Sequence, residues 1–130
     1  MAAVLGFASP AAAAYPQTGF DVYGCCVDYI TAGNTDGVIT WYNRTAYISG
    51  DVYTGDSTTA TAVFEAFASD ATSSKIESQT RTVSGTWNSK HFGFTIGDSN
   101  LVGGIHRIKI TLCDYSVDSC GRSINYYNPS

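Results

Sequence analysis

His106-Arg107-Ile108-Lys109-Ile110-Thr111-Leu112 alternates without interruption, with His106, Ile108, Ile110 and Leu112 on one face and Arg107, Lys109 and Thr111 on the other. Successive side chains of an extended chain point to opposite faces, so this pattern specifies a half-buried β-strand. Asp114 to Asp118 supplies turn residues, and Cys120 to Tyr127 reads as the return strand of a hairpin. Upstream, Phe92, Phe94 and Ile96 form a second inward stripe, closed by the turn sequence Gly97-Asp98-Ser99-Asn100. Lys75 to Ser84 carries Glu77, Gln79, Thr80, Arg81 and Thr82 and leaves little apolar face, which suits an edge strand. Between Thr58 and Ser69, Ala60, Ala62, Phe64, Ala66 and Ala68 alternate with Thr59, Thr61, Val63, Glu65 and Phe67. The period of two and the β-branched partners outweigh the helical preference of the alanines.

The N-terminal half continues the pattern. Ala46, Ile48, Gly50 and Val52 share one face of a strand, and Tyr47, Ser49, Asp51 and Tyr53 share the other. Val38 to Tyr42 is a short β run, and Phe20 to Ile30, rich in Val, Tyr and Phe, is a first strand closed by turn residues 32–37. Ahead of it, residues 15–19 have no periodicity and include Pro16, so an extended tail is expected there. Strands at intervals of about 8 to 12 residues predict an all-β fold. The expected architecture is a two-sheet antiparallel β-sandwich of immunoglobulin-like type, braced by disulfides, in one domain over residues 20–130.

Composition narrows the function classes. A chain of 130 residues with a net charge of −4 has no basic footprint, so neither nucleic acid nor an anionic membrane is an expected partner. Residues 1–14 are uncharged, small and apolar and end in an Ala-x-Ala pattern, the signature of a signal peptide lacking its basic start. A secreted, extracellular location follows as the expectation. Four cysteines in a short exported chain suggest disulfides: Cys25 and Cys26 are adjacent, and Cys113 and Cys120 flank the last hairpin turn. Three pairings are open. Joining Cys113 to Cys120 stabilises by about 2.5 kcal/mol in the chain-entropy model, whereas long-range bridges closing roughly 90 residues each contribute about 4.5 kcal/mol. That difference favours the long-range pairings, although neighbouring cysteines on a strand point to opposite faces. A zinc knuckle is disfavoured by the missing spacing between Cys25 and Cys26.

No catalytic motif organises the chain. Gly-x-Ser-x-Gly and the phosphate-cradling glycine signatures are absent. His106 alternates with isoleucines and reads as a buried or half-buried sheet residue, and His91, beside Lys90, as a solvated one. Asp-rich turns at 51–56 and 114–118 lack the ligand order of an EF-hand and read as solvated carboxylates. A non-enzymatic protein without cofactor or metal is therefore expected. Exposed aromatics point instead to binding, because Tyr and Trp bury large area at low entropic cost. Tyr47 and Tyr53 fall on the face opposite the core, and Trp41, Tyr42, Trp87, Tyr126 and Tyr127 lie near strand ends. The bland reading of Trp41 is packing onto the second sheet.

The stretches Trp41-Tyr42-Asn43-Arg44-Thr45, Ile48 to Tyr53, Thr80 to Ser84, Phe92 to Asp98 and Leu101 to Ile105 resemble small exported β-sandwich proteins of streptomycete-type actinobacteria. Among these the chain is most similar to the adaptor subunits of umbrella-shaped antibacterial toxin particles, over most of its length after the leader. The resemblance implies a secreted, cysteine-paired, non-enzymatic subunit. It implies that an extended N-terminal segment docks into the cleft of an inactive trypsin-like, lectin-bearing partner while the sandwich contacts the stalk of the toxin chain. Tyr15, Pro16, Gln17, Thr18 and Phe20, with Val22 and Tyr23, are the residues that suit such docking, through strand addition. The alternatives are an extracellular protease inhibitor, in which the same extended segment fills a protease cleft, and a carbohydrate-binding module using the Tyr and Trp face.

Overall fold

The computed structural model describes residues 14–24, 33–56, 59–114 and 120–130. Apart from Ala14, the expected leader lies outside them, as do Cys25 and Cys26 and most of the 114–118 turn. Among these residues eight strands follow in order: β1 Gln17–Tyr23, β2 Asn34–Trp41, β3 Thr45–Tyr53, β4 Thr59–Phe67, β5 Lys75–Ser84, β6 Ser89–Gly97, β7 Arg107–Asp114 and β8 Cys120–Tyr127. A 3₁₀ turn, Thr72–Ser74, leads into β5. The strands form two four-stranded antiparallel sheets, β1-β2-β3-β6 (sheet I) and β5-β4-β7-β8 (sheet II). The chain crosses between sheets after β3, β5 and β6, so that β3 pairs with β6 and β4 with β7. These interlocked central pairs are the connectivity of an immunoglobulin-like sandwich.

The alternating stripes meet between the sheets. Ala46, Ile48 and Val52 of β3 and Phe92, Phe94 and Ile96 of β6 face Ala60, Ala62, Phe64 and Ala66 of β4 and Ile108, Ile110 and Leu112 of β7. Phe64 is the centre: its ring meets Phe92 at 5.3 Å, Phe94 at 5.1 Å and Phe20 at 6.0 Å, all edge to face. The small alanines of β4 leave room for these rings. Trp41 is 1% exposed in this core, with its indole N–H donated to Thr18 Oγ1 at 2.9 Å.

The polar strand β5 lies at the edge of sheet II, as its composition predicts. Its Glu77, Gln79 and Arg81 close the side of the sandwich as a hydrogen-bonded ladder. Gln79 Nε2 donates to Glu77 Oε2 at 2.6 Å, and Arg81 donates to Gln79 Oε1 at 3.1 Å. The ladder reaches across to sheet I. Arg81 stacks 4.2 Å from the Phe94 ring, and Glu77 Oε1 accepts the Gly97 N–H at 2.8 Å. Charges turned inward in this way also discourage another chain from pairing with the edge.

Four expectations change. The first strand begins at Gln17, so residues 17–19 belong to the sheet: the Pro16 carbonyl accepts the Trp41 N–H at 2.9 Å, and Gln17 is the register partner of Thr40. A proline can open a ladder this way because only its missing N–H is a handicap. Residues 34–37, read as turn, extend β2. A Cβ on Gly37 would fall on the Ser49 carbonyl oxygen and lie 2.9 Å from Phe20 Cζ, and its register partner Gly50 is equally crowded by the Asp36 carbonyl. Gly37 makes a seat for the Phe20 ring rather than a bend, and Gly50 lets the backbones of β2 and β3 approach closely. His106 precedes β7 at a bend, with its side chain exposed and paired with Asp70 at 3.0 Å. Finally, Cys113 is bonded to Cys120, its register partner across β7 and β8, so the favoured long-range pairings do not form at these two positions. Chain entropy ranks bridges by what they remove from the unfolded state, but proximity in the folded register decides which can close.

Candidate functional site

The outer face of sheet I carries the sequence-predicted tyrosines. Strand register arranges it in rows running across the four strands: Tyr23, Asn34, Tyr53 and Ser89; then Asp21, Asp36, Asp51 and His91; then Gly19, Val38, Ser49 and Gly93; then Gln17, Thr40, Tyr47 and Thr95. Along β3 the face runs ~20 Å from Tyr47 to Tyr53. Tyr47 leans over Gly93, where a Cβ would collide with its phenol oxygen. The third row is therefore shallow, bounded by tyrosine on one side and acid on the other. Beyond the fourth row, the half-exposed Tyr15 packs edge to face on Tyr42 at 4.8 Å.

The acidic row is electrostatically loaded. Asp21 and Asp36 are direct cross-strand partners, as are Asp36 and Asp51. Like charges placed opposite each other are unfavourable. Partial burial, and then the neighbouring charges of Asp21 and Asp51, hold the Asp36 carboxyl above its ordinary value of 3.8, against the opposing hydrogen bonds from Tyr53 and Asn34. The Tyr53 phenol is likewise pushed above 10.0, first by burial and then by the charges of Asp36 and Asp51. His91 Nδ1 lies 3.3 Å from Asp51 Oδ1 at the end of the row. Among the described residues no group of three or more His, Cys, Asp or Glu is arranged to hold a metal ion.

Beside the first row is a pocket of about 370 Å³. Tyr23, Tyr53 and Trp87 line it together with Asn34 and Thr54. Trp87 is 65% exposed and takes a positive φ of 52° in the connection from β5 to β6. Thr54 anchors that connection. Its hydroxyl bonds to the Gly85 carbonyl and accepts the Asn88 N–H at 2.9 Å, and the Trp87 N–H reaches the Gly55 carbonyl at 2.9 Å. Asn88 Nδ2 donates to the Ser84 carbonyl at 2.7 Å. The backbone at Trp87 is thus held from several sides while its indole stands in solvent.

Strand β1 is the edge of sheet I next to β8. The bonds from Trp41 N–H to the Pro16 carbonyl and from Gly24 N–H to the Gly33 carbonyl fix the phase of its ladder. Even-numbered residues therefore turn their backbone toward β2, and Gln17, Gly19, Asp21 and Tyr23 turn theirs outward. The Asp21 N–H donates to the Tyr126 hydroxyl of β8 at 3.2 Å. The outward groups of Gln17 and Gly19 meet no backbone or side-chain partner among the described residues.

Of the residues expected to bind a partner, Tyr23, Tyr47 and Tyr53 share this face, and Tyr15, Pro16 and Gln17 lie at its exposed lower end. Phe20 and Val22 do not: they are 4% and 0% exposed and belong to the core, because alternation along β1 sends them inward. Thr18 also has a structural task, holding the Trp41 indole. Asp36, Asn34, Thr54 and Trp87 were not among the expected binding residues. Trp87 stood out only as an aromatic near a strand end, and the others become neighbours through register. Comparison with family models, curated proteins and solved structures finds no match for the chain.

Proposed function

We propose that the protein is a secreted, non-enzymatic interaction module that joins larger extracellular proteins, as the adaptor of an extracellular antibacterial toxin complex does. The observation that carries the reading is the β1 edge, where Gln17 and Gly19 offer outward backbone groups next to a face bearing Tyr47, Tyr53 and Tyr23. An incoming extended segment from a partner gains main-chain hydrogen bonds along that edge and sets alternate side chains beside Tyr23, and side chains long enough to cross β1 and β2 reach toward Tyr47 and Tyr53 on β3. Docking adds a strand to sheet I and leaves the core undisturbed. The Cys113–Cys120 bond is consistent with an oxidising compartment, and among the described residues no helix is long and apolar enough to cross a membrane.

The test is capture of large partner chains from culture supernatant by the tagged full-length protein and by its Gly19→Pro variant. Proline at an outward position deletes a donor that β2 does not use. The variant is expected to fold with a change in stability below ~1 kcal/mol and to capture its partners at least about tenfold less well. Recovery of the domain alone at native concentration, or equal capture by the variant, overturns edge docking. Inhibition of a trypsin-like, subtilisin-like or papain-like protease at nanomolar concentration favours the inhibitor reading instead.

A further inference from the structure

The pocket beside the first row of sheet I combines three features that edge docking leaves unexplained. Trp87 is kept in water by a strained backbone, although a bulky residue with positive φ is a genuine outlier and this ring is 65% exposed. Its turn is secured through Thr54, Gly55, Gly85 and Asn88, with no hydrogen bond from the indole N–H among those that hold it. Strain of this kind persists where the surroundings over-determine it, and it clusters at ligand clamps. Tyr23 and Tyr53 line the same pocket. The adjoining row places Asp21, Asp36 and Asp51 side by side, with Tyr53 hydrogen-bonded to Asp36.

We infer that this pocket binds an organic cation, an ammonium or guanidinium group carried on carbon. Aromatic faces are negative at their centres, and indole is the strongest of them toward a cation. Carboxylates one row away, about 7 Å along the strand, add attraction of the same sign. An anion is repelled by both. A neutral sugar can stack on the rings but gains nothing from the acidic row, whose mutual repulsion a bound cation relieves. The volume of about 370 Å³ accommodates a group larger than a bare metal ion, and Asn34 and Thr54 supply polar contacts at its wall. The ligand is either a free quaternary ammonium compound or the Arg or Lys side chain of a protein. The inference stands apart from strand docking at β1, because Gly19→Pro leaves the pocket intact and Trp87→Ala leaves the edge intact.

The two tryptophans make a direct readout possible: Trp41 is buried and Trp87 is exposed. The full chain with its disulfide intact is titrated with tetramethylammonium, with N-acetylarginine amide, with tert-butanol as the uncharged isostere, and with cellobiose. Tryptophan emission and ¹H–¹⁵N shifts of the Asn34 and Thr54 amides are followed. A saturable response to one or both cations, at least about tenfold stronger than to tert-butanol and weakened by added salt, is the expected result. Whichever cation binds more tightly identifies the source. Trp87→Ala is expected to abolish the amide shifts while leaving circular dichroism and melting unchanged, since the ring is exposed. Asp36→Asn combined with Asp51→Asn is expected to weaken binding severalfold. Equal responses to tert-butanol, a stronger response to cellobiose, or no saturation by either cation up to about 50 mM overturns the inference.

Discussion

Among the described residues, Trp87 and Asp36 each sit in a local environment that works against the stability of the fold. For Trp87 the cost lies in the backbone. A left-handed conformation is unfavourable for an L-residue by roughly 1–2 kcal/mol, part of which glycine would return as lost chain entropy. Replacing Trp87 by Gly is therefore expected to raise stability by about 1 kcal/mol, an increase of about 4 °C in melting temperature for a domain of this size. A calorimetric scan checks it, and a fall in melting temperature would show that the indole packs more usefully than its exposure implies. For Asp36 the cost is electrostatic and depends on pH. Its carboxyl titrates above 3.8 in the folded chain, so the stability linked to its protonated form is complete below 3.8 and is lost as pH rises through the higher folded value. Asp36→Asn lacks that loss. The variant is expected to exceed the parent by about 0.5 kcal/mol at neutral pH, with the advantage fading toward pH 3, and its Tyr53 phenol should titrate closer to 10.0. Urea unfolding across pH and a spectrophotometric tyrosine titration measure the two effects.

Strands were readable from the chain wherever side chains alternate along it or a β-prone run is bounded by turn residues. The polar strand β5 and the return strand β8 begin and end where the pattern places them, and the inward stripes of β3, β4 and β6 are those that the alternation marks. Ala68 is the exception, falling beyond the end of β4. The misread segments share one cause: a local signal that tertiary pairing overrules. Pro16 suggested a tail, yet its carbonyl opens the ladder of β1, and Gly37 suggested a turn, yet it makes space for Phe20. The Cys113–Cys120 bond is a different case, because chain entropy points to longer bridges and the hairpin register decides instead, and it bears a prediction for the β7–β8 hairpin. Because the loop it closes is short, removing it in a Cys113→Ala, Cys120→Ala double variant should cost about 2.5 kcal/mol plus the small cavity left at buried Cys113. Ile110 opposite Ile124 and Thr111 bonded to Ser123 at 2.7 Å continue to hold the hairpin. The double variant should thus remain folded, with its denaturant midpoint lowered and its slope unchanged or slightly raised, since the unbridged chain unfolds to a less compact state; an unfolded product would mean that the bridge does more than shorten the unfolded chain.

At the scale of the whole molecule, periodicity predicts the sandwich but not the order of its strands, because an inward stripe does not say which neighbour it lies beside. That is why the candidate site was only half visible. Tyr47 and Tyr53 could be placed on the outer face from β3 alone, whereas the acidic row needs three strands in register and the pocket needs the β5–β6 connection brought against Thr54. The same crossovers make the two sheets interdependent, most centrally through one side chain. Phe64 of sheet II is fully buried and meets Phe20, Phe92 and Phe94, which belong to β1 and β6 of sheet I. Replacing it with alanine removes those edge-to-face contacts and opens a cavity among residues already kept small, Ala60, Ala62 and Ala66, so little nearby can collapse to fill it. The expected cost is about 4 kcal/mol, a large part of the ~5–15 kcal/mol that holds a domain together. Because Phe20 seats β1 against this ring, the loss should propagate to the edge proposed for docking. Hydrogen exchange in Phe64→Ala is expected to accelerate first at Thr18, Phe20 and Val22, whose amides bond to β2, and only later at the β3–β6 pair. Uniform acceleration in all the described strands would show instead that β1 unfolds only with the whole sandwich.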